Sequence, residues 1–267
     1  MSETSDNWSG GDAYERFMGR WSRQVAKEFI DWLAPPAAWN WLELGCGTGA
    51  LTQAVFLHAD PASLVACDPS PQMVSFARRS LAHPTITFEV GGAHDLPRRE
   101  DGFDAVVSGL VLNFLPAPAE AVRAMKSRLR RGGMLAAYVW DYADGLQFLR
   151  IFWEAALELN SHAADLDERQ RFPLCHQDAL MHLLEDEGFV LVDAQALDIA
   201  TPFADFDDYW IPFLGGTGPA PSYVASLNPA TQEQLRLQLK QRLAPTPDSP
   251  IQLTGRAWAV RGHVGVE

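Results

Sequence analysis

Apolar runs alternate with helical stripes through the first half of the chain. Each run has the length of a buried strand, and the stretches between most of them place their apolar residues on one face of a helix. Strands that alternate with helices in this way predict a parallel sheet with helices on both faces. The predicted strands are 39–44, 64–68, 86–90, 103–108 and 134–140, and the predicted helices are 14–33, 50–57, 70–81 and 119–131.

The helix predicted over 119–131 ends in a group of cations. A helix dipole favours positive charge at its C-terminal end, and the glycine pair that follows is typical of a helix cap. We therefore expect this helix to run up to the glycines. The residues concerned are Lys126, Arg128, Arg130 and Arg131, followed by Gly132 and Gly133.

The second half of the chain departs from this alternation. Residues 200–250 do not fit a strand–helix unit, because they are rich in proline and glycine and carry a cluster of aromatic residues ahead of one polar helix. We interpret 200–250 as an insertion between the last two strands that lies over the carboxyl edge of the sheet. The elements predicted around it are helices at 146–159 and 176–187 and strands at 189–192 and 256–262.

The composition is that of a globular protein with a large acidic excess. Of 267 residues, 47% are hydrophobic, and 21 Lys and Arg stand against 34 Asp and Glu, which leaves a formal net charge of −13. Such a charge disfavours nucleic acid and anionic membranes as partners. No run is long and apolar enough to span a bilayer, and the start carries no signal-peptide pattern. We therefore expect a cytoplasmic protein.

The three cysteines, Cys46, Cys67 and Cys175, are too few and too irregularly spaced for a disulfide framework or a metal site. We expect reduced thiols and no bound metal. This expectation agrees with the cytoplasmic location inferred from the rest of the sequence.

Glycines occupy every second position of the turn Gly45-Cys-Gly-Thr-Gly49, between the first strand and the helix after it. Glycine lets the backbone turn sharply and lets a ligand approach without meeting a Cβ atom. The following helix points its free N–H groups at the same place, which suits a nucleotide-type cofactor. An ordinary tight turn explains this one stretch equally well, so both interpretations stay open on the turn alone.

Four motifs in order carry a resemblance to a known family. They are Glu43-Leu-Gly-Cys-Gly-Thr-Gly49, Asp68, Gly91-Gly-Ala-His-Asp-Leu-Pro97 and Phe103-Asp-Ala-Val-Val-Ser108. Together they resemble the class I S-adenosylmethionine-dependent methyltransferases, and more narrowly their small-molecule, ubiquinone-biosynthesis-like branch. The resemblance covers about 12–141, and the last predicted strand is similar to the family's antiparallel seventh strand.

The resemblance implies an α/β fold of the Rossmann-like, doubly wound type. It would have a mostly parallel seven-stranded sheet with an antiparallel last strand, and a helical, aromatic cap insertion. The implied domains are an N-terminal helical lid at 1–36, an S-adenosylmethionine-binding domain at 37–199 and 251–267, and the cap at 200–250.

The implied activity is transfer of a methyl group from S-adenosyl-L-methionine to an oxygen, nitrogen or carbon of a small molecule, by a monomer or homodimer. Two alternatives remain. A non-catalytic S-adenosylmethionine-binding module would share the fold. An NAD-dependent dehydrogenase would also suit the turn, which satisfies a loose Gly-x-Gly-x-x-Ala pattern, although no paired Tyr and Lys accompany it.

The resemblance also implies cofactor-binding residues on the first two strands. Gly45, Cys46, Gly47 and Gly49 would form the turn beneath the methionine and ribose portions. Asp68, followed by Pro69, ends the second strand about 20 residues later, where an acid can accept both ribose hydroxyls. Glu43 would fix the turn or the cofactor's amino group, or alternatively be a buried acid that caps backbone amides of the loop.

Other implied contacts lie farther along the chain or near its start. The loop after the third strand would hold adenine, with Gly92 in the place where the family typically has an acid, through the backbone at Ala93 and a side chain at His94 or Asp95. The stretch from Ser108 to Asn113 would run beneath the methionine portion. Tyr14 and Arg20 resemble part of the family's N-terminal lid and suit the cofactor's carboxylate, the alternative being surface aromatic packing and a solvated Arg.

The acceptor is expected between the 140–142 edge and the insertion that carries Trp210, Phe213 and Tyr223. The alternative is that these aromatic residues only anchor the insertion to the sheet. No catalytic residue is predicted. If a proton has to leave, Asp141 or His176 is a candidate to accept it.

Overall fold

The computed structural model describes residues 14–216, 218–243 and 249–266. The chain divides into two compact units, each treated by itself below. The sheet unit comprises Ser22–Trp140, Pro173–Leu197 and Ala257–Glu267, and the helical unit comprises Met1–Trp21, Asp141–Phe172 and Asp198–Arg256.

These units do not coincide with the predicted domains. The segment 141–172 belongs with the predicted insertion, and the predicted lid is divided after Trp21. Residues 1–13 of the predicted lid, residues 217 and 244–248 of the predicted insertion, and residue 267 lie outside the described residues. A lid and a cap over the site therefore stay predictions.

The first half of the chain folds into alternating strands and helices. The predicted helix start at Ser70 is confirmed, because its Oγ accepts a hydrogen bond from the Met73 amide at 3.3 Å and Pro71 takes the first helical position. In chain order the elements are a π-helical turn (Glu15–Gly19), α1 (Arg20–Leu33), β1 (Asn40–Leu44), α2 (Ala50–His58), β2 (Ser63–Asp68), α3 (Pro71–Ser80), β3 (Ile86–Val90), β4 (Phe103–Gly109), α4 (Pro118–Lys126) and β5 (Leu129–Trp140).

The second half adds helices and two longer strands. No helix in the described ranges has the length and apolar character needed to cross a membrane. The elements are α5 (Gln147–Leu159), α6 (Glu168–Arg171), α7 (Gln177–Asp186), β6 (Val190–Ala200), α8 (Phe206–Trp210), α9 (Pro219–Ser226), α10 (Pro229–Leu243) and β7 (Thr254–His263).

Among the described residues, seven strands form one sheet in the order β3-β2-β1-β4-β5-β7-β6. The pairs β1–β2, β1–β4, β2–β3 and β4–β5 are parallel, and β7 runs antiparallel to β5. The predicted sheet, mostly parallel with an antiparallel last strand, is confirmed. Because the strand order reverses beside β1, the carboxyl ends of β1, β2 and β4 meet where such sheets bind their ligands.

The predicted helix over 119–131 is wrong in its second half. The helix ends at Lys126, and Leu129 already belongs to β5, where it pairs with Phe103. The register then shifts, so that Met134 pairs with Ala105 and the residues between bulge out of the ladder. The glycine pair at 132–133 therefore serves a bulge and not a helix cap. Strand hydrogen bonds to β4 replaced the local helical preference.

The aromatic residues of the predicted insertion form the interior of the helical unit. Trp210, Phe213 and Tyr223 are each at most 4% exposed. Phe213 stacks on Phe152 of α5 with ring centroids 4.5 Å apart, and Trp210 stacks on Phe206 with centroids 6.5 Å apart. These three residues pack as core within the helical unit. That they line the acceptor's entrance, or alternatively anchor the insertion to the sheet, stays a prediction.

This packing predicts the effect of Trp210→Ala. We expect the free energy of unfolding to fall by about 3–5 kcal/mol, because a large buried side chain leaves a cavity. Urea denaturation measures the change. The matched control is Ile211→Ala, which truncates a neighbouring side chain that is 56% exposed and should shift stability by no more than about 0.5 kcal/mol. A Trp210→Ala protein of unchanged stability would show that the ring is not part of the core.

Candidate active site

The glycine turn after β1 has the backbone conformation that its sequence requires. Gly45, Gly47 and Gly49 have φ angles of +79°, +51° and +94°, in the left-handed region that favours glycine. Gly49 directly precedes α2, so the turn delivers the chain to a helix N-terminus.

The three glycines differ in what surrounds them. A Cβ on Gly45 would lie 2.4 Å from Val111 Cγ2, and one on Gly49 would lie 2.7 Å from Leu81 Cδ1. Above Gly47, no described heavy atom lies within 4 Å of such a Cβ. Gly45 and Gly49 therefore allow close packing within the protein, whereas Gly47 leaves open space over the turn for a ligand.

Asp68 joins the end of β2 to this turn. Its Oδ2 accepts a hydrogen bond from the Gly47 amide at 2.9 Å, and its Oδ1 accepts one from the Ser70 amide at 2.8 Å. Burial raises the pKa of Asp68, and the two amide bonds oppose that rise. The neighbouring Pro69 is exposed. The structure thus brings Asp68 and Gly47 together across 21 residues, with spare lone pairs left on the carboxylate.

Glu43 is a buried acid inside β1, bonded to the helix after the turn. The Thr52 hydroxyl of α2 donates to Glu43 Oε2 at 2.6 Å. Burial raises the pKa of Glu43 to about 7, although the Thr52 bond lowers it. This bond fixes β1 against α2 across the turn, and a backbone hydrogen bond from Thr52 also lowers the pKa of the carboxyl. The expected roles of Glu43, fixing the turn or the cofactor's amino group or capping backbone amides, stay predictions.

The raised pKa of Glu43 predicts a pH-dependent difference from Glu43→Gln. A folded pKa of about 7, above the unfolded value of roughly 4.3, means that the stabilising contribution is complete below the unfolded pKa and is lost as pH rises through 7. At pH 8 the variant should be more stable than wild type by up to about 3 kcal/mol, and at pH 4 the two should agree closely. Urea denaturation at both values measures this, and an equal difference at both would contradict the buried ionisation.

Two cysteines lie at the turn, Cys46 within it and Cys67 at the end of the neighbouring strand β2. The Gly45 and Cys46 amides both donate to the Cys67 carbonyl oxygen, at 2.7 and 2.9 Å. Burial raises the pKa of the Cys46 thiol far above its usual range and that of Cys67 to about 12. Both therefore stay protonated near neutral pH and act as packing groups.

The end of β4 and the residues after it pack against the same turn. The Ser108 hydroxyl is buried and donates to the Leu44 carbonyl oxygen at 2.9 Å, so it ties β4 to β1. Leu110 has a φ of +61°, which for a non-glycine residue costs roughly 1–3 kcal/mol. Val111 follows it and lies against Gly45. The sequence carries no signal for the conformation of Leu110, which the surrounding sheet imposes.

The predicted adenine loop forms a short turn after β3. Residues Ala93–Asp95 make one 3-10 turn, and the Gly92 amide donates to Asp95 Oδ1 at 2.6 Å. His94 is exposed. Asp95 thus has a partner within its own loop, while the His94 side chain faces solvent.

Tyr14 and Arg20 lie in the helical unit. Arg20 Nη1 contacts both Asp208 carboxylate oxygens, at 2.9 and 3.1 Å. Its guanidinium also lies over the rings of Trp21 and Phe203, 4.3 and 4.7 Å from their centroids. The alternative of a solvated Arg is therefore wrong, and Tyr14 is half-buried. Contact of either residue with a cofactor's carboxylate stays a prediction.

The two candidate proton acceptors have different surroundings. Asp141, in the helical unit, is buried; it accepts a hydrogen bond from the Asp144 amide at 3.1 Å and lies 4.0 Å from Arg256 Nη1. His176, in the sheet unit, is exposed and precedes α7. Neither observation assigns a catalytic role.

Comparisons with known proteins agree with this geometry. A family model described as "Methyltransferase domain" matches residues 42–137. An uncharacterized methyltransferase of Mycobacterium bovis is 37% identical over 132 residues, which are 49% of this chain and 50% of that protein. The chain thus spans about half the length of such a relative. A malonyl-[acyl-carrier protein] O-methyltransferase of Herminiimonas arsenicoxydans is 30% identical over 193 residues, covering 72% of this chain and 68% of the relative.

Solved structures share the fold. Phosphoethanolamine N-methyltransferase 2 of Haemonchus contortus, in complex with S-adenosyl-L-methionine, superposes with a TM-score of 0.58 at 14% identity, covering 97% of this chain and 57% of the other. The [4+2]-cyclase SpnF superposes with a TM-score of 0.53 at 16% identity, covering all of this chain and 89% of the other. The family predicted from the motifs is confirmed by the longer sequence match: the chain belongs to the class I S-adenosylmethionine-dependent methyltransferases.

Proposed function

We propose that this chain is an enzyme that transfers a methyl group from S-adenosyl-L-methionine to a small-molecule acceptor. The observation that carries the proposal is the open space over Gly47, next to the Asp68 carboxylate that bonds its amide. An open glycine backbone and an acid at the neighbouring strand end are the two features that a nucleoside-type cofactor needs at the edge of a parallel sheet.

The residues present fit that cofactor. The turn at Gly45, Gly47 and Gly49, with Cys46 between them, would hold its methionine and ribose portions, and Asp68 would accept the ribose hydroxyls. Gly92, Ala93 and His94 would hold the adenine, with Pro69 near them in space, its Cβ 4.0 Å from where a Cβ on Gly92 would lie. Ser108 and Glu43 act on the shape of the turn, because their side chains are bonded within the protein.

The chemistry asks little of the protein beyond alignment. When bound, S-adenosyl-L-methionine supplies a methyl group on a positively charged sulfur, which is already activated for displacement. Holding two reactants in attack geometry supplies about 7–11 kcal/mol by itself. The rigid packing of Gly45 against Val111 and of Gly49 against Leu81 would preserve that alignment.

The relatives are named for different methyl acceptors, so their names do not point to a single acceptor for this chain. The H. arsenicoxydans relative is an O-methyltransferase of malonyl-[acyl-carrier protein] by name. A rice relative, 31% identical over 93 residues, is named for a phytyl hydroquinone, and a human relative, 32% identical over 124 residues, is named a thiol S-methyltransferase. These names differ in the acceptor atom, so they do not choose among the oxygen, nitrogen or carbon nucleophiles that the family resemblance implies.

Isothermal titration with S-adenosylhomocysteine and with NAD tests the proposal. We expect binding of the first and none of the second, and binding of NAD instead would favour a dehydrogenase. Incubation with radiolabelled S-adenosyl-L-methionine and a set of small acids, alcohols, amines and phenols then measures transfer. Binding without transfer to any of them would favour the non-catalytic module, because a shared fold does not fix the function.

A further inference from the structure

The loop after β4 lies at the candidate site, and only its Val111 has been given a role so far, in packing against Gly45. Val111 places it against the glycine turn, since a Cβ on Gly45 would lie 2.4 Å from Val111 Cγ2. The segment Gly109-Leu-Val-Leu-Asn-Phe-Leu-Pro116 contains no titratable side chain. A molecule bound beside this loop would therefore meet no general base on it.

Asn113 presents a buried donor without a partner. Its amide nitrogen is buried, and within the residues that the structure describes it has no hydrogen-bond partner. The same holds for the hydroxyl of Thr48 in the glycine turn. Buried polar groups in native proteins are nearly always paired. These two are among several such atoms in the described residues; they are the ones on the two segments that meet at Gly45 and Val111, where a bound ligand would supply an acceptor.

An amide N–H donates a hydrogen bond and takes up no proton near neutral pH. Its natural complement is an oxygen that already lacks a proton. Carboxylic acids, with pKa values near roughly 4, are ionised at pH 7, whereas alcohols and ammonium groups must first lose a proton. A site with a donor amide and no base on its loop therefore suits a carboxylate nucleophile.

We propose that the Asn113 amide holds a carboxylate oxygen of the methyl acceptor, so that the acceptor is a carboxylic acid and the product its methyl ester. A lone pair of the carboxylate oxygen forms the new bond to the methyl carbon. The bond from that carbon to sulfur breaks, and its electron pair stays on sulfur. A cationic sulfonium and an anionic carboxylate become a neutral thioether and a neutral ester, and no proton moves. This inference rests on the proposed function.

The cofactor also carries a carboxylate, so the experiment must separate the two sources. Isothermal titration with S-adenosylhomocysteine measures cofactor affinity when the cofactor's carboxylate is the only one present. Titration of the protein–S-adenosylhomocysteine complex then measures the affinity for octanoate and benzoate. The same titration with octan-1-ol and octan-1-amine shows how that affinity depends on the acceptor's head group. The variants are Asn113→Asp, which keeps the shape but adds a negative charge, and Asn113→Ser, which removes the amide without adding charge. Asn228→Asp, at an exposed helix start, is the control for the added charge.

We expect an acid to bind the wild-type complex at least tenfold more tightly than the matched alcohol or amine. Asn113→Asp should weaken acid binding at least tenfold and change S-adenosylhomocysteine affinity less than twofold, while Asn228→Asp changes neither. Asn113→Ser should weaken the acid in the same direction and serves in place of Asn113→Asp if that variant melts at a much lower temperature.

Three results would overturn the inference. One is loss of S-adenosylhomocysteine affinity in both Asn113 variants, which would assign the amide to the cofactor. The second is that neither octanoate nor benzoate binds the complex. The third is acid binding that both variants leave unchanged. Each of these leaves the proposed function standing, because that proposal fails only if the wild-type protein does not bind S-adenosylhomocysteine or transfers no methyl group.

Discussion

Gly47→Ala should raise the Kd for S-adenosylhomocysteine at least about 100-fold, equivalent to about 2.8 kcal/mol, while the protein stays folded. At a φ of +51° the new side chain costs the fold only about 1–2 kcal/mol. Its Cβ meets no described atom within 4 Å, so it projects into the space proposed for the cofactor. Isothermal titration measures affinity, and urea denaturation measures stability.

Gly45→Ala is the matched comparison, because its Cβ would collide with the protein itself. With a φ of +79° and Val111 Cγ2 2.4 Å away, the fold should lose roughly 2–5 kcal/mol from strain and overpacking together. Adding Val111→Ala should recover the overpacking part and leave the strain. If Gly47→Ala binds S-adenosylhomocysteine as wild type does, the cofactor does not lie over Gly47.

Asp68→Ala should weaken S-adenosylhomocysteine binding at least about tenfold. The variant loses charge-assisted hydrogen bonds to the ribose, which contribute about 1.5–3 kcal/mol, and it also leaves the Gly47 and Ser70 amides without the acceptors they have in wild type. Isothermal titration at neutral pH measures the loss. Because burial raises the pKa of Asp68, wild-type affinity should also fall as the carboxyl gains a proton, at a higher pH than an ordinary aspartic acid would require.

Asp68→Asn is the control that separates charge from shape. It keeps one oxygen acceptor but turns an N–H₂ group toward one of the two amides, so its affinity should lie near that of Asp68→Ala and not near wild type. Asp104→Asn, at a carboxylate that binds Asn40 and Arg130 near the starts of β1 and β4, should leave affinity unchanged. Wild-type affinity in Asp68→Ala would show that the ribose is held elsewhere.

Local sequence patterns predicted strands well where the residues of the strand alone are enough to define it. The spacing of apolar residues placed the strands at 39–44, 64–68 and 86–90 within a residue of their observed bounds, because a buried strand needs a continuous apolar run and little else. The helix at 119–131 failed for the opposite reason. Its last residues have both helical preference and strand partners, and the hydrogen bonds to β4 decided between them.

The helical unit shows a second limit of prediction from the sequence, which concerns the residues that become buried. The sequence placed Trp210, Phe213 and Tyr223 in one cluster, but the side of the cluster that faces solvent depends on what packs against it. Phe152 of α5, some 60 residues earlier in the chain, covers Phe213, and so the cluster became core. Periodicity along one segment carries no information about such a partner.

The sequence by itself determined the family, the succession of strands and helices along the chain, and the glycine turn with Asp68, because these depend on residue types at short, regular spacings. Only the tertiary structure decided that Asp68 bonds the Gly47 amide, that Gly45 packs on Val111 while Gly47 stays open, and that the buried Asn113 amide has no partner among the described residues. Each of these depends on segments 20 to 70 residues apart meeting at the carboxyl ends of neighbouring strands. Their meeting is set by the pairing of β1 with β2 and β4, which no local pattern specifies.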